Sequence, residues 1–121
     1  MENLNLEMTH FALNSSVLTA AGKAALKQDA AALKSDPHVK IQAQGYCDDR
    51  GSVQYNMALG ERRAQAVKAY LETLGISSDR IATVSFGKSD PLDPRDNQQA
   101  WALNRRASFV VQSSTSNVAL R

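Results

Sequence analysis

The chain has 121 residues, 43% of them hydrophobic and 21% charged, with a net charge of +2. That length suits one domain with a single core. So small a net charge, with both signs mixed along the chain, argues against nucleic-acid binding.

No apolar run nears the ~20 residues of a membrane-spanning helix. Met1-Glu2-Asn3-Leu4 lacks the basic and then apolar start of a signal peptide. An exported protein would therefore show its mature part here. One cysteine, Cys47, cannot close an internal disulfide, and with His10 and His38 it makes no metal-ligand spacing. No metal and no cofactor are expected.

Residues 1–7 read as a polar arm. Met8 to Leu13 reads as a first strand, broken by Asn14-Ser15-Ser16. Thr19 is placed to cap a helix running to about Lys34, with Leu26, Ala30 and Leu33 at helical spacing and Ser35-Asp36-Pro37 as its stop. Val39 to Gln44 alternates, with Val39, Ile41 and Ala43 on one face and Lys40, Gln42 and Gln44 on the other, as in a half-buried strand. Gly45 to Gly51 reads as an acidic, glycine-bearing loop. Ser52 caps a helix from about Val53 to Leu74, and Gly75 ends it. Arg80 to Phe86 reads as a third strand, Asn97 to Asn104 as a short helix and Arg106 to Gln112 as a last strand, its Ala107, Phe109 and Val111 on one face. Residues 113–121 read as a polar tail. Helices of this length between strands predict an α/β (α+β) sandwich, a four-stranded sheet with helices packed on one face.

One residue breaks the pattern. On the second helix Leu59, Ala66, Val67, Tyr70 and Leu74 form an apolar stripe, and Arg63 falls near its middle. A guanidinium there needs an anion, because an unpaired buried charge is costly. Glu61 and Glu72 fall on the opposite side of the helix, so Asp48 and Asp49, in the loop before it, are the candidate acids. Two readings stand: an internal salt bridge, or Arg63 and Asp48 set apart to hold a carboxylate and an ammonium of one ligand. Cys47 lacks a neighbouring base, so nucleophilic chemistry is not expected.

Gly45-Tyr46-Cys47-Asp48-Asp49-Arg50-Gly51, followed by Tyr55-Asn56 and Leu59-Gly60-Glu61-Arg62-Arg63-Ala64, resembles the OmpA-like peptidoglycan-binding domain. Arg80-Ile81, Val84-Ser85-Phe86-Gly87-Lys88, Pro91 and Asn104-Arg105-Arg106-Ala107 match as well, so the resemblance spans roughly residues 8–112. Within that family the chain is most similar to the lipoprotein branch.

The resemblance implies a mixed sheet and a periplasmic, non-enzymatic module that binds the diaminopimelate-bearing stem of peptidoglycan. Asp48 and Arg63 take the positions that hold diaminopimelate, with Asn56 and Leu59 lining or bracing the pocket. The family usually carries an aspartate where this chain has Asn14, and His-Thr or His-Ala where it has Tyr46-Cys47. The resemblance also implies a lipid anchor on a cysteine upstream of this sequence, placement at the outer membrane, and Tol-system partners such as TolB. The wall-binding end of an OmpA-type porin or a flagellar stator is the alternative, as is a protein-interaction module with a structural Asp–Arg pair.

Overall fold

The structure, a computed structural model, describes residues 6–48, 50–89 and 91–114. The arm before Leu6, Asp49, Asp90 and the tail after Ser114 lie outside the described residues. Strands β1 (Thr9–His10), β2 (Val39–Tyr46), β3 (Ile81–Gly87) and β4 (Arg106–Ser114) alternate with helices α1 (Ala20–Ser35), α2 (Val53–Thr73) and α3 (Gln98–Asn104). The strands form one sheet in the order β1-β4-β2-β3, with β4 antiparallel to β1 and β2, and β2 parallel to β3. The expected mixed four-stranded sheet is present.

The helix ends follow their caps. Thr19 Oγ1 accepts from Gly22 N–H, Ser52 Oγ from Tyr55 N–H and Asn97 Oδ1 from Ala100 N–H. Gly75, at φ 101°, closes the end of α2 where a side chain would be strained. The core joins Leu26, Ala30 and Leu33 of α1, Val39, Ile41 and Ala43 of β2, and Val67 and Leu71 of α2. Lys40 is exposed, and Gln42 and Gln44 are half-buried on the opposite face of the sheet.

Three expectations need correction. The first strand is two residues long, because the chain turns at Asn14, whose φ of 56° is left-handed, and Ser15 N–H donates to Ala12 O at 3.2 Å. Strand β2 runs two residues further, to Tyr46, so the loop starts at Cys47. Val111, expected buried on the core face of β4, is 41% exposed although it pairs with buried Ile41, at the last pair before a register shift in the β2–β4 ladder at Lys40/Ile41. At the amino end Leu6 packs on the core, and Glu7 N–H donates to Asp29.

Helix α2 meets β2 backbone to backbone. A Cβ on Gly45 would collide with the carbonyl of Gly60, and one on Gly60 would collide with Ser85 Oγ. The buried face of α2 is therefore Asn56, Leu59, Gly60, Arg63, Ala64, Val67 and Leu71. It is rotated toward the small residues, away from Ala66, Tyr70 and Leu74, which are half-buried. Hydrophobicity marks the large apolar residues; close approach selects the small ones. Gly45→Ala is expected to cost about 1–3 kcal/mol as overpacking, measured by urea denaturation. Gly60→Ala should also destabilise, although helix propensity alone favours alanine by about 1 kcal/mol. A stabilised Gly60→Ala variant would show that the helix has room to shift.

Asp29 on α1 is 1% exposed; its Oδ1 accepts from Glu7 N–H at 2.7 Å and its Oδ2 has no hydrogen-bond partner among the described residues. Burial pushes the carboxyl up to about 6, against the pull of the Glu7 hydrogen bond. A folded pKa raised above an unfolded value near 3.8 means that the folded state binds the proton more tightly. Its contribution is full below pH 4 and lost as the pH rises to about 6. Asp29→Asn is expected to abolish this fall and to raise the melting temperature at pH 7. Parallel melting curves for variant and wild type from pH 4 to 7 would contradict it.

Candidate functional site

The site lies where the loop after β2, the first turns of α2 and the turn after β1 converge. Cys47 N–H donates to Gly87 O at 2.7 Å, and Cys47 Sγ donates to Asn56 O at 3.2 Å. Those bonds fix the start of the loop. Asn56 Nδ2 donates to Arg50 O at 2.6 Å and to Ser52 O at 3.1 Å, which wraps the loop onto α2. Gly51 takes a φ of 92° in this wrap.

Asp48 is 4% exposed. Its Oδ1 accepts from Arg50 N–H at 3.0 Å and Arg50 Nε at 3.2 Å; its Oδ2 accepts from Arg50 Nη2 at 2.8 Å and Arg105 Nη1 at 3.5 Å. Burial alone would push the carboxyl up. The Arg50 side-chain and backbone hydrogen bonds, the Arg50 charge and Arg105 outweigh it and hold Asp48 below the usual carboxylate range. Asp48 is therefore ionised at neutral pH.

Arg63 is fully buried at 0% exposure. Its Nε donates to Ser15 O at 2.8 Å, its Nη1 to Tyr46 O at 2.9 Å and its Nη2 to Ala12 O at 3.0 Å. The guanidinium carbon stands 5.2 Å from the centre of the Phe11 ring. Among the described residues no carboxylate pairs with it, so the expected internal Asp48–Arg63 salt bridge is not formed. Burial lowers the Arg63 pKa, partly offset by Cys47 and Asp48. An arginine stays charged regardless. Three of its five N–H groups hold carbonyls, which leaves donors for an anion.

All five expected residues, Asn14, Asp48, Asn56, Leu59 and Arg63, line one cavity of about 170 Å³. Their roles are unequal. Asn14 Oδ1 accepts from Tyr55 Oη at 3.1 Å, and its left-handed backbone suits asparagine in its own right. Asn56 spends its amide N–H groups on the loop, so it braces. Leu59 is an apolar wall. Cys47 lines the cavity too; burial pushes its thiol up against the pull of Arg63, so it is a protonated packing group.

Arg50 and Arg105 were not among the expected site residues. Arg50 sits two residues after Asp48, the spacing at which an aspartate accepts from a backbone N–H in a turn. That signal was local and readable. Arg105 is 57 residues from Asp48, held by its Nε donating to Phe11 O at 2.8 Å, and nothing in the sequence links the two. A second cavity of about 330 Å³ shares Leu13 and Arg50 with the first and is lined also by Trp101 and Arg105. No group of metal-binding side chains occurs among the described residues.

A family model described as the OmpA family matches residues 10–112. The chain belongs to the OmpA family. This OmpA-family chain is 36% identical to the peptidoglycan-associated lipoprotein of Brucella melitensis biotype 1 over 104 residues, 86% of this chain and 62% of that protein. It is 41% identical to that of Pseudomonas aeruginosa over 100 residues, 83% of this chain and 59% of the relative. The chain thus spans about three fifths of the length of these curated relatives. The crystal structure of the peptidoglycan-associated lipoprotein from Burkholderia pseudomallei superposes with a TM-score of 0.83 at 39% identity, covering 87% of this chain and 89% of that one. The C-terminal domain of Helicobacter pylori MotB gives 0.84 at 19% identity, covering 96% and 92%, which shows a shared fold. No helix among the described residues is long and apolar enough to cross a membrane.

Removing the Arg63 guanidinium takes a donor from three carbonyls, of which Ala12 O keeps the Ser15 N–H. Arg63→Leu is expected to cost about 3 kcal/mol or more, measured by urea denaturation. Arg63→Lys should fall between leucine and wild type, because one ammonium cannot reach three carbonyls spread along a planar fork. A loss under ~1 kcal/mol in Arg63→Leu would mean that those carbonyls find other donors.

Proposed function

We propose that this domain binds peptidoglycan without covalent chemistry, by taking the amino-acid end of the diaminopimelate side chain in the stem peptide. The observation that carries the reading is Arg63: a buried cation in a cavity wall, held by carbonyls, with no acid partner among the described residues and an ionised Asp48 lining the same cavity. A buried guanidinium so placed favours a carboxylate from outside. Diaminopimelate brings a carboxylate and an ammonium on one carbon. Arg63 takes the first and Asp48 the second, with Leu59 against the methylene chain and Asn14 at the rim. The names of the relatives, peptidoglycan-associated lipoproteins, agree with this reading.

Charge-assisted hydrogen bonds contribute about 1.5–3 kcal/mol each. Two or three of them, less ordering costs, give binding on the order of −8 kcal/mol, a micromolar dissociation constant. Many such contacts on one polymer add avidity. The domain then acts as a tether, periplasmic and held at the outer membrane through a lipid anchor outside this sequence. A Tol-system partner such as TolB belongs to the same reading. The wall-binding end of a porin or a flagellar stator would use the same site. The MotB likeness, at 19% identity, favours that alternative in fold only.

Co-sedimentation with purified sacculi tests the proposal. The protein is expected to pellet with diaminopimelate-type walls and to stay in solution with lysine-type walls. Asp48→Asn, which keeps the side-chain shape, should lose most of the pelleting while its melting curve shows it folded. Equal pelleting with both walls, or an unimpaired Asp48→Asn, would overturn it.

A further inference from the structure

The carboxylate of Asp48 is already full. An ionised carboxylate offers about four lone-pair sites. Asp48 receives the Arg50 N–H, Nε and Nη2, and Arg105 Nη1 at 3.5 Å. An ammonium reaches Asp48 only by displacing one of these donors. The Arg50 N–H belongs to the loop backbone, whose carbonyl Asn56 clamps at 2.6 Å. Arg105 is held by Phe11 O. The Arg50 side chain is the remaining candidate: it is 38% exposed, and its guanidinium carbon lies 3.9 Å over the Trp101 ring. It also forms the wall shared by the two cavities, so it has space to retreat into on the Trp101 side.

We propose that Arg50 is the specificity-determining residue of this site, a guanidinium that occupies the ammonium position on Asp48 and must be exchanged for the ligand's ammonium. This rests on the reading of the cavity as a zwitterion site. With Arg50 seated, Asp48 is neutralised and Arg63 presents the dominant charge, so the empty cavity favours an anion first. A diaminopimelate end satisfies Arg63 with its carboxylate and so offsets the displacement of Arg50 from Asp48. A lysine end brings an ammonium alone, must displace Arg50, and gains nothing at Arg63. Arg50 therefore works against the simpler cation more than against the zwitterion.

Trp101 is the single tryptophan of the chain, lines the second cavity, and is stacked by Arg50. Its emission therefore reports where Arg50 lies. The test is titration of the whole protein with soluble stem peptides ending in diaminopimelate or in lysine, following heat by calorimetry and emission from Trp101. Wild type is expected to bind the diaminopimelate peptide with a change in emission. Arg50→Gln should bind it with no such change, and should gain about tenfold or more in affinity for the lysine peptide, so that discrimination narrows. Two outcomes overturn the inference: wild type binding the diaminopimelate peptide with unchanged emission, or Arg50→Gln losing affinity for both peptides alike, which makes Arg50 a mere support for Asp48. Wild type binding neither peptide would remove the zwitterion reading and this inference with it.

Discussion

The site depends on one solution to one problem: a guanidinium buried among carbonyls. Ala12 and Ser15 in the turn after β1, and Tyr46 at the end of β2, all give their carbonyl oxygens to Arg63 of α2. Two chain segments are thereby tied to one helix. The three carbonyl dipoles satisfy three of the five Arg63 N–H groups but do not cancel the charge, which stays in the wall of the cavity. Had a carboxylate stood in their place, the same arginine would have been a structural ion pair with nothing left for a ligand. Arg80 shows the contrasting use. It donates to the carbonyls of Leu33, Asp36 and Val39 around the end of α1, where the helix dipole itself favours a cation, and it stays half-exposed.

Much of this was legible in the sequence, because the signals are local. Thr19 and Ser52 cap their helices as their side-chain chemistry requires, and the alternation from Val39 to Ala43 placed the core face of the central strand. Arg63 was visible as a charge on an apolar stripe, and the search for its counter-ion led to the loop whose Asp48 lines the same cavity without pairing with it. What was not legible came from long range. The first strand stops short where its chain turns to serve an arginine some 50 positions on. The buried face of α2 is set by the contact of Gly45 with Gly60, which no hydrophobic pattern records. Arg105 reaches the site only because α3 gives way to β4 beside Phe11.

The run Asn104-Arg105-Arg106 shows how compact such long-range information can be. Asn104 holds the loop before α3 by accepting from Asp93 N–H and donating to Asp93 O. Arg105 turns to Asp48. Arg106 lies 3.7 Å over the ring of Tyr46, which itself stacks on Phe86. Adjacent in the chain, each of the three secures a different segment.

Strand β2 lies inside the sheet, flanked by β4 and β3, and its last carbonyl is one of the three on Arg63. A molecule seated on that guanidinium would therefore pull on an interior strand and not on an edge. Tension would be shared between two ladders of backbone hydrogen bonds and, through Ala12 and Ser15, the turn beside them. A domain loaded at that point resists by shearing many bonds together. One loaded at β3 or β1 would peel them one at a time.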